Sequence, residues 1–273
     1  MNRNDYILGR IDKAQHGLEI GPSYSPVTPK SDGWSVETAD HIDAQALRNK
    51  YMAQNIDVSQ IEEVDHIIGD EGLALSIGGQ ARFDWIIASH VIERTPDMVR
   101  FLQDCETLLV EGGVLSLAIP DKRFCFDVFQ PVSTTGSVLE AYWQQRTRHT
   151  MSAIFDTMSG QVTRGGALAW PSASSATFAL VHDLNASFSQ ALQQRYGNGH
   201  IDTHAWRFVP ASFTLVLHDL QALGLTRLGI SAFANFNEFE FFVTLKKGHR
   251  NDGADRIQMY CDIAQECAVA IRQ

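Results

Sequence analysis

No stretch of this chain approaches the roughly 18 to 20 consecutive apolar residues that a membrane-spanning helix needs. The longest apolar runs, such as Trp85-Ile86-Ile87-Ala88, are strand-sized. Positive charge is scarce: 22 Lys and Arg stand against 32 Asp and Glu, for a formal net charge of -10. That balance argues against a surface built to neutralise nucleic-acid phosphates, which needs clustered Lys and Arg. A locally basic pocket at Lys122-Arg123 stays open. Cysteine is also sparse. Cys105, Cys125, Cys261 and Cys267 form no C-x-x-C pair and no short Cys/His run, so free thiols are expected and a metal site is not. The first five residues are polar and lead into no sustained apolar core. A signal peptide and a membrane span are therefore not expected, and the expectation is a cytoplasmic protein. Internal repeats and low-complexity tracts are absent as well.

What the sequence does contain is alternation. With 273 residues, 44% of them apolar, the chain can bury a large α/β core. Strand candidates lie at residues 17–21, 34–38, 61–65, 83–90 and 114–120. A helix is expected after an Asp43 N-cap, and another runs from Pro96-Asp97 to Leu109 with Val99, Leu102, Cys105 and Leu108 at helical spacing. Strand and helix in turn call for parallel strands with helical crossovers.

Between residues 121 and 208 the alternation gives way to a mostly helical pattern broken at Gly165-Gly166 and Gly197-Asn198-Gly199. A helix from Pro210 to Leu223, two strands near 225–233 and 239–245 with a turn at Asn235-Phe236-Asn237, and a terminal helix over 255–271 complete the pattern. The expected organisation is a doubly wound α/β domain from residues 1–120 and 209–248. Residues 121–208 form an inserted cap for the substrate, and 249–273 a C-terminal helix.

A strand, a glycine turn and an acid about twenty residues on, at the next strand's end, make a nucleoside-crevice pattern. Gly21 supplies the turn and Asp40 the acid. A dinucleotide pyrophosphate wants several glycines whose N–H groups approach the phosphates, whereas this loop has one, and Pro22 removes a donor. A sulfonium nucleoside has no phosphate, and beside it the carboxylate of Glu19 is useful rather than repulsive. The alternative for Glu19 is a cap or ion pair near the surface.

These segments resemble class I S-adenosylmethionine-dependent methyltransferases, of the methyltransferase-domain type found among bacterial glycan and lipopolysaccharide biosynthesis genes. The resemblance is carried by Gly17-Leu18-Glu19-Ile20-Gly21-Pro22-Ser23, Val64-Asp65, the stretch from Phe83 through Ser89-His90-Val91-Ile92-Glu93, and the stretch from Leu115 through Pro120-Asp121-Lys122-Arg123. It implies a mostly parallel seven-stranded sheet with an antiparallel last strand and a largely helical insertion after the fifth. It also implies S-adenosylmethionine as cofactor: Glu19 and Gly21 beside its methionine part, Pro22 and Ser23 among the cofactor-binding residues, Asp40 on the ribose, Asp65 with its neighbours near the adenine, and Ser89 and His90 facing the methyl group. The sequence departs from the family at Arg94, where the family usually has His.

His90 is the candidate general base, since an imidazole titrates near neutrality and the strand end faces the crevice; a pocket-shaping imidazole is the alternative. Asp121 is a candidate to orient the acceptor, with Lys122 and Arg123 holding an anionic group, or the three form a solvated turn. His182 beside Asp183 is a further substrate-side candidate. His200 and His204 lack an intervening Glu and a clear helix, so no metal is expected there. The expected activity is methyl transfer to a small-molecule or sugar-containing acceptor. The rivals are a module that binds the cofactor without transferring the methyl group, motivated by Arg94, and an NAD-dependent oxidoreductase.

Overall fold

The computed structural model describes residues 2–196, 201–235, 239–251, 253 and 255–269. Its sheet has seven strands: β1 (Gly17–Ile20), β2 (Val36–Asp40), β3 (His66–Ile67), β4 (Phe83–Ser89), β5 (Leu109–Pro120), β8 (Leu228–Asn235) and β9 (Glu240–Lys247), in the order β3-β2-β1-β4-β5-β9-β8. Every pairing from β3 to β5 is parallel, and β9 runs antiparallel to both β5 and β8. This is the expected mostly parallel sheet with an antiparallel last strand.

Crossovers follow the local sequence. The β2–β3 connection carries α2 (Ala44–Met52), started by Asp43, whose side chain accepts the Ala46 N–H. The β3–β4 and β4–β5 connections carry α3 (Leu73–Ser76) and α4 (Met98–Leu108). On α4, Val99, Leu102, Cys105 and Leu108 are fully buried, the valine and the two leucines being worth about 1.5–3 kcal/mol each. The β1–β2 connection is different. Pro22, Pro26 and Pro29 leave it with only a three-residue 3-10 turn at Lys30–Asp32.

The two faces of the sheet are covered unequally. Even-numbered positions of β1 and β4 (Leu18, Ile20, Ile86, Ala88) join the large core shared with α3, α4, α5 (Thr135–Trp143) and α8 (Pro210–Ala222). Trp85 and Ile87 face the other way, onto Ile7 of α1 (Arg3–Ile7) and Val27 of the first loop.

The third strand is not where its sequence suggested. Ile61 and Val64 pack on Ala44 and Leu47 of α2, and the strand itself is the short His66–Ile67 step that follows. Between β5 and α8 stand α5, α6 (Met151–Gly160) and α7 (Leu184–Tyr196), joined by a hairpin of β6 (Val162–Arg164) and β7 (Phe178–Leu180) that the helical pattern did not reveal. The C-terminal helix α9 spans Arg256–Val269. The glycine break at residues 197–199, His200, and Phe236-Asn237 of the expected turn lie outside the described residues.

Gly17 pairs in register with Trp85, and a Cβ there would lie 2.1 Å from the indole ring. Gly17→Ala should therefore destabilise the fold by about 1–3 kcal/mol through overpacking, read as a lower urea midpoint. An unchanged midpoint would mean that Trp85 is not packed against β1.

Candidate functional site

Parallel pairing delivers the chain ends of β1, β2, β3 and β4 to one edge of the sheet, and the candidate site is built there. After Ile20 the chain turns at Gly21 (φ 64°), whose N–H bonds the Ala39 carbonyl at 2.8 Å. A Cβ on Gly21 would come within 3.1 Å of the Val91 side chain, so the turn and the wall beyond β4 approach closely.

Glu19 pins the loop that follows. Its Oε1 accepts the Val27 N–H at 2.7 Å, and its Oε2 accepts the Thr28 N–H at 2.9 Å and the Thr28 hydroxyl at 2.6 Å. Burial pushes the Glu19 carboxyl above its ordinary value even against these three donors. Glu19 therefore shapes the crevice through the loop it holds. Within that loop Ser23 takes a left-handed backbone (φ 55°), and its buried hydroxyl has no hydrogen-bond partner among the described residues.

Asp40 ends β2, level with Gly21 by the Ile20 to Ala39 register. Its Oδ1 accepts both the N–H (2.7 Å) and Nδ1 (2.5 Å) of His41. Asp65 lies at the opposite end of β3. Its carboxylate accepts the Thr38 N–H at 2.7 Å and Lys30 Nζ at 2.5 Å. Burial raises the Asp65 carboxyl, but these donors outweigh it and hold the group below the ordinary range. The acid just beyond the carboxyl end of β3 is Asp70. The signal was in the sequence: Gly69-Asp70 directly after Ile67-Ile68.

Between these strand ends lies a cavity of about 310 Å³, at the lower end of the usual range for small-molecule sites. Ile20, Ile68 and Val91 give it an apolar slot, with His41 and Asp70 at its side. Asp97, Arg100 and Asp104 line it from α4 and its cap, and Arg146 to His149 line it from the connection between α5 and α6.

At the end of β4, His90 has a left-handed backbone (φ 55°), and its Nε2 bonds Glu240 Oε2 at 2.9 Å. Glu240 is fully buried at the start of β9 and also accepts Arg3 Nε at 2.8 Å and Nη2 at 2.9 Å. Arg3 Nη2 donates to Ser89 Oγ at 2.7 Å. Ser89 and His90 thus share one network with two residues that sequence reasoning missed. Arg3 and Glu240 stand 237 positions apart, so no local pattern joins them. Arg94 donates through Nε to the His90 carbonyl at 3.2 Å, and its guanidinium pairs with Asp202 and Glu93. It braces the turn from outside.

The remaining sequence candidates are engaged elsewhere. Asp121 is buried and held bidentately by Arg123 Nε (2.9 Å) and Nη2 (2.5 Å); burial still pushes its carboxyl up. Lys122 is buried and donates to the Val128 carbonyl at 2.9 Å, burial lowering its pKa. Neither the solvated turn nor the anion pocket suggested for 121–123 describes these contacts. His182 Nε2 bonds Gln161 at 2.9 Å beside the hairpin. None of these four lines the cavity, and neither do Glu19, Gly21, Pro22, Ser23, Asp40, Asp65, Ser89 or His90, which stand around the strand ends that border it. Among the described residues no group of three His, Cys, Asp or Glu side chains is arranged to hold a metal.

The insertion is fastened to the wall beyond β4. Ala205 and Trp206 donate their N–H groups to the Glu93 carbonyl, and Trp206 Nε1 donates to the Thr95 carbonyl at 2.7 Å. Beneath these bonds His204 Nδ1 pairs with Asp127 Oδ2 at 2.6 Å, and Arg207 approaches Asp127 Oδ1 at 3.4 Å.

No family model matches the chain, and no curated protein matches it. Among solved structures, the chain is similar to a zinc-dependent alcohol dehydrogenase from Rhodobacter sphaeroides (14% identity, 89% of this chain and 88% of that one, TM-score 0.45). It is also similar to a SAM-dependent methyltransferase from Methanosarcina mazei (14%, 88% and 96%, 0.44) and to the CcbJ methyltransferase from Streptomyces caelestis (11%, 90% and 97%, 0.46).

Burial raises the Asp127 carboxyl, but His204 and Arg207 outweigh it and hold the group below the ordinary aspartate range. A folded-state pKa below the unfolded value gives stability that is complete above about pH 3.9 and is lost as pH falls through the folded value. Asp127→Asn should cost about 3–5 kcal/mol near neutrality, and its difference from wild type should shrink toward strong acid in denaturant titrations. A difference that stays constant over that range would refute the pairing.

Proposed function

We propose that this chain is an S-adenosylmethionine-dependent methyltransferase acting on a small-molecule or sugar-containing acceptor. The observation that carries this is that β2 and β3, adjacent and parallel, are followed at their carboxyl ends by Asp40 and Asp70, with Asp70 on the cavity's apolar slot and a single glycine in the turn after β1. Carboxylates at both strand ends suit the hydroxyls and amine of a nucleoside. Pro22 in place of an N–H donor leaves the turn poorly equipped for a pyrophosphate, which disfavours NAD.

The residues present fit the cofactor. Asp40 would hold the ribose hydroxyls, Asp70 the adenine amine, and Ile20, Ile68 and Val91 the faces of the ring. The buried Ser23 hydroxyl, which has no partner among the described residues, would offer a polar contact to the amino-acid end, and Gly21 would leave room for it. When bound, the cofactor supplies an electrophilic methyl group.

This chain's own residues then align the acceptor and move a proton. Alignment is worth roughly 7–11 kcal/mol in such displacements. Glu240 fixes His90 through Nε2, so that Nδ1 is the nitrogen left to accept a proton from an acceptor hydroxyl or ammonium. Because Arg94 braces the His90 carbonyl and leaves the imidazole alone, its presence gives no ground for a purely binding role.

In this assignment residues 1–120 with 209–248 bind the cofactor and 121–208 cap the acceptor, in a cytoplasmic enzyme whose C-terminal helix is Arg256–Val269. The resemblance to glycan and lipopolysaccharide methyltransferases makes sugar-bearing acceptors the first class to assay.

S-adenosylmethionine or S-adenosylhomocysteine at about 100 times its Kd should add roughly 2.7 kcal/mol of stability, seen as a Tm rise of about 2–4 °C per kcal/mol. A response to NAD or NADP alone would end the proposal. Asp40→Ala should weaken cofactor binding by about 1–3 kcal/mol in calorimetry; unchanged affinity would remove Asp40 as the ribose partner. His90→Asn, which tolerates the left-handed backbone, should keep the fold and cut turnover by about 10²–10⁴. Glu240→Gln should shift the pH profile of the remaining activity. Full turnover in His90→Asn would exclude it as base.

A further inference from the structure

The cavity has a second wall beyond the residues assigned to the cofactor. It is formed by four consecutive residues, Arg146, Thr147, Arg148 and His149, between α5 and α6. The backbone aims them there. Gln145 takes a left-handed conformation (φ 49°), the Arg146 N–H bonds back to the Ala141 carbonyl, and Thr150 caps α6 by accepting the Ala153 N–H at 3.1 Å. The segment is thus fixed at both ends by helix termini.

Charge is distributed unevenly across the cavity. Of the carboxylates on the sheet side, Asp97 is occupied as the N-cap of α4, accepting the Arg100 N–H at 3.0 Å. Asp104 faces the backbone at the start of α3, where Leu73 and Ala74 favour its charged form. Burial pushes both carboxyls toward their neutral form. Asp70 is the acid assigned to the nucleoside. The opposite wall brings two guanidinium groups, a hydroxyl and an imidazole, with Arg100 adding a third guanidinium from α4. Arg146 is steadied by Gln144 Oε1 at 2.8 Å and by Glu140 at 3.8 Å. Both partners are solvent-exposed, so they compete weakly for a buried anion. In a chain of net charge -10 this concentration of arginine at one cavity is a local exception.

We propose that the Arg146–His149 wall binds an oxyanion of the acceptor, a carboxylate or a phosphate, so that the enzyme selects anionic acceptors. The assignment of the neighbouring slot to the cofactor is the premise that makes the bound anion an acceptor. The sequence pointed to Lys122-Arg123 for this task; the cations that face the cavity lie one helix further on.

Calorimetry of the full chain with glucose 6-phosphate, glucuronate and glucose, each with and without saturating S-adenosylhomocysteine, tests the assignment. One or both charged sugars should bind, and which one does separates phosphate from carboxylate; glucose should not bind. Arg146→Gln with Arg148→Gln should weaken anion binding about tenfold or more, the loss of charge-assisted bonds. The exposed Arg148→Gln alone gives a smaller loss in the same direction if the double variant folds poorly. Arg227→Gln, which removes an exposed arginine paired with Glu111, should change nothing. Equal titration of glucose and the charged sugars, or variants that bind anions as wild type does, overturns the proposal. Failure of S-adenosylhomocysteine to bind would instead count against the cofactor assignment, and the titrations without it still decide whether the arginine wall takes anions.

Discussion

Four carboxylates are buried along one edge of the sheet, and the edge can exist only because each is matched by donors. Glu19, Asp40, Asp121 and Glu240 are all at most 4% exposed. An unpaired buried carboxylate costs several kcal/mol or gives up its charge. Each is therefore tied: Glu19 to its own loop, Asp40 to His41, Asp121 to Arg123, Glu240 to Arg3 and His90. The positions of the first loop, the His90 turn and the start of the insertion follow from these ties. The sheet edge tolerates its buried acids because each is already engaged in holding a neighbouring stretch of chain in place.

The same constraint explains which parts of the site were legible in the sequence. Strand-sized apolar runs and an α4 stripe at helical spacing depend on local period alone, and those elements were readable. Asp40 was readable because it ends a strand long enough to recognise. Asp70 was overlooked although Gly69-Asp70 follows Ile67-Ile68 directly, because its strand has two residues and the apolar Ile61 and Val64 nearby, packed against α2, drew the strand expectation. Arg3 and Glu240 meet across almost the whole chain, a contact that only the antiparallel placement of β9 creates.

Charge alone also misled at Lys122-Arg123. A basic pair after a strand looks like an anion site, but polarity does not reveal burial. The ammonium of Lys122 is satisfied by a backbone carbonyl and the guanidinium of Arg123 by the neighbouring acid. Arg146 and Arg148 have the less conspicuous sequence context, after a helix in the insertion. Their placement on the cavity depends on one left-handed residue, Gln145, whose conformation the sequence does not advertise.

The insertion and the crevice wall are mechanically one piece. The Glu93 carbonyl receives two N–H groups from the segment at 205–206, Thr95 receives the Trp206 indole, and Asp127 with His204 and Arg207 fills the space beneath. Glu93 and Thr95 belong to the same short turn that carries Val91 into the apolar slot and follows His90. A displacement of the insertion must therefore strain the turn that carries the imidazole, since packed cores shift between discrete arrangements rather than deform freely. The insertion and the His90 turn are thus coupled through about four residues of backbone.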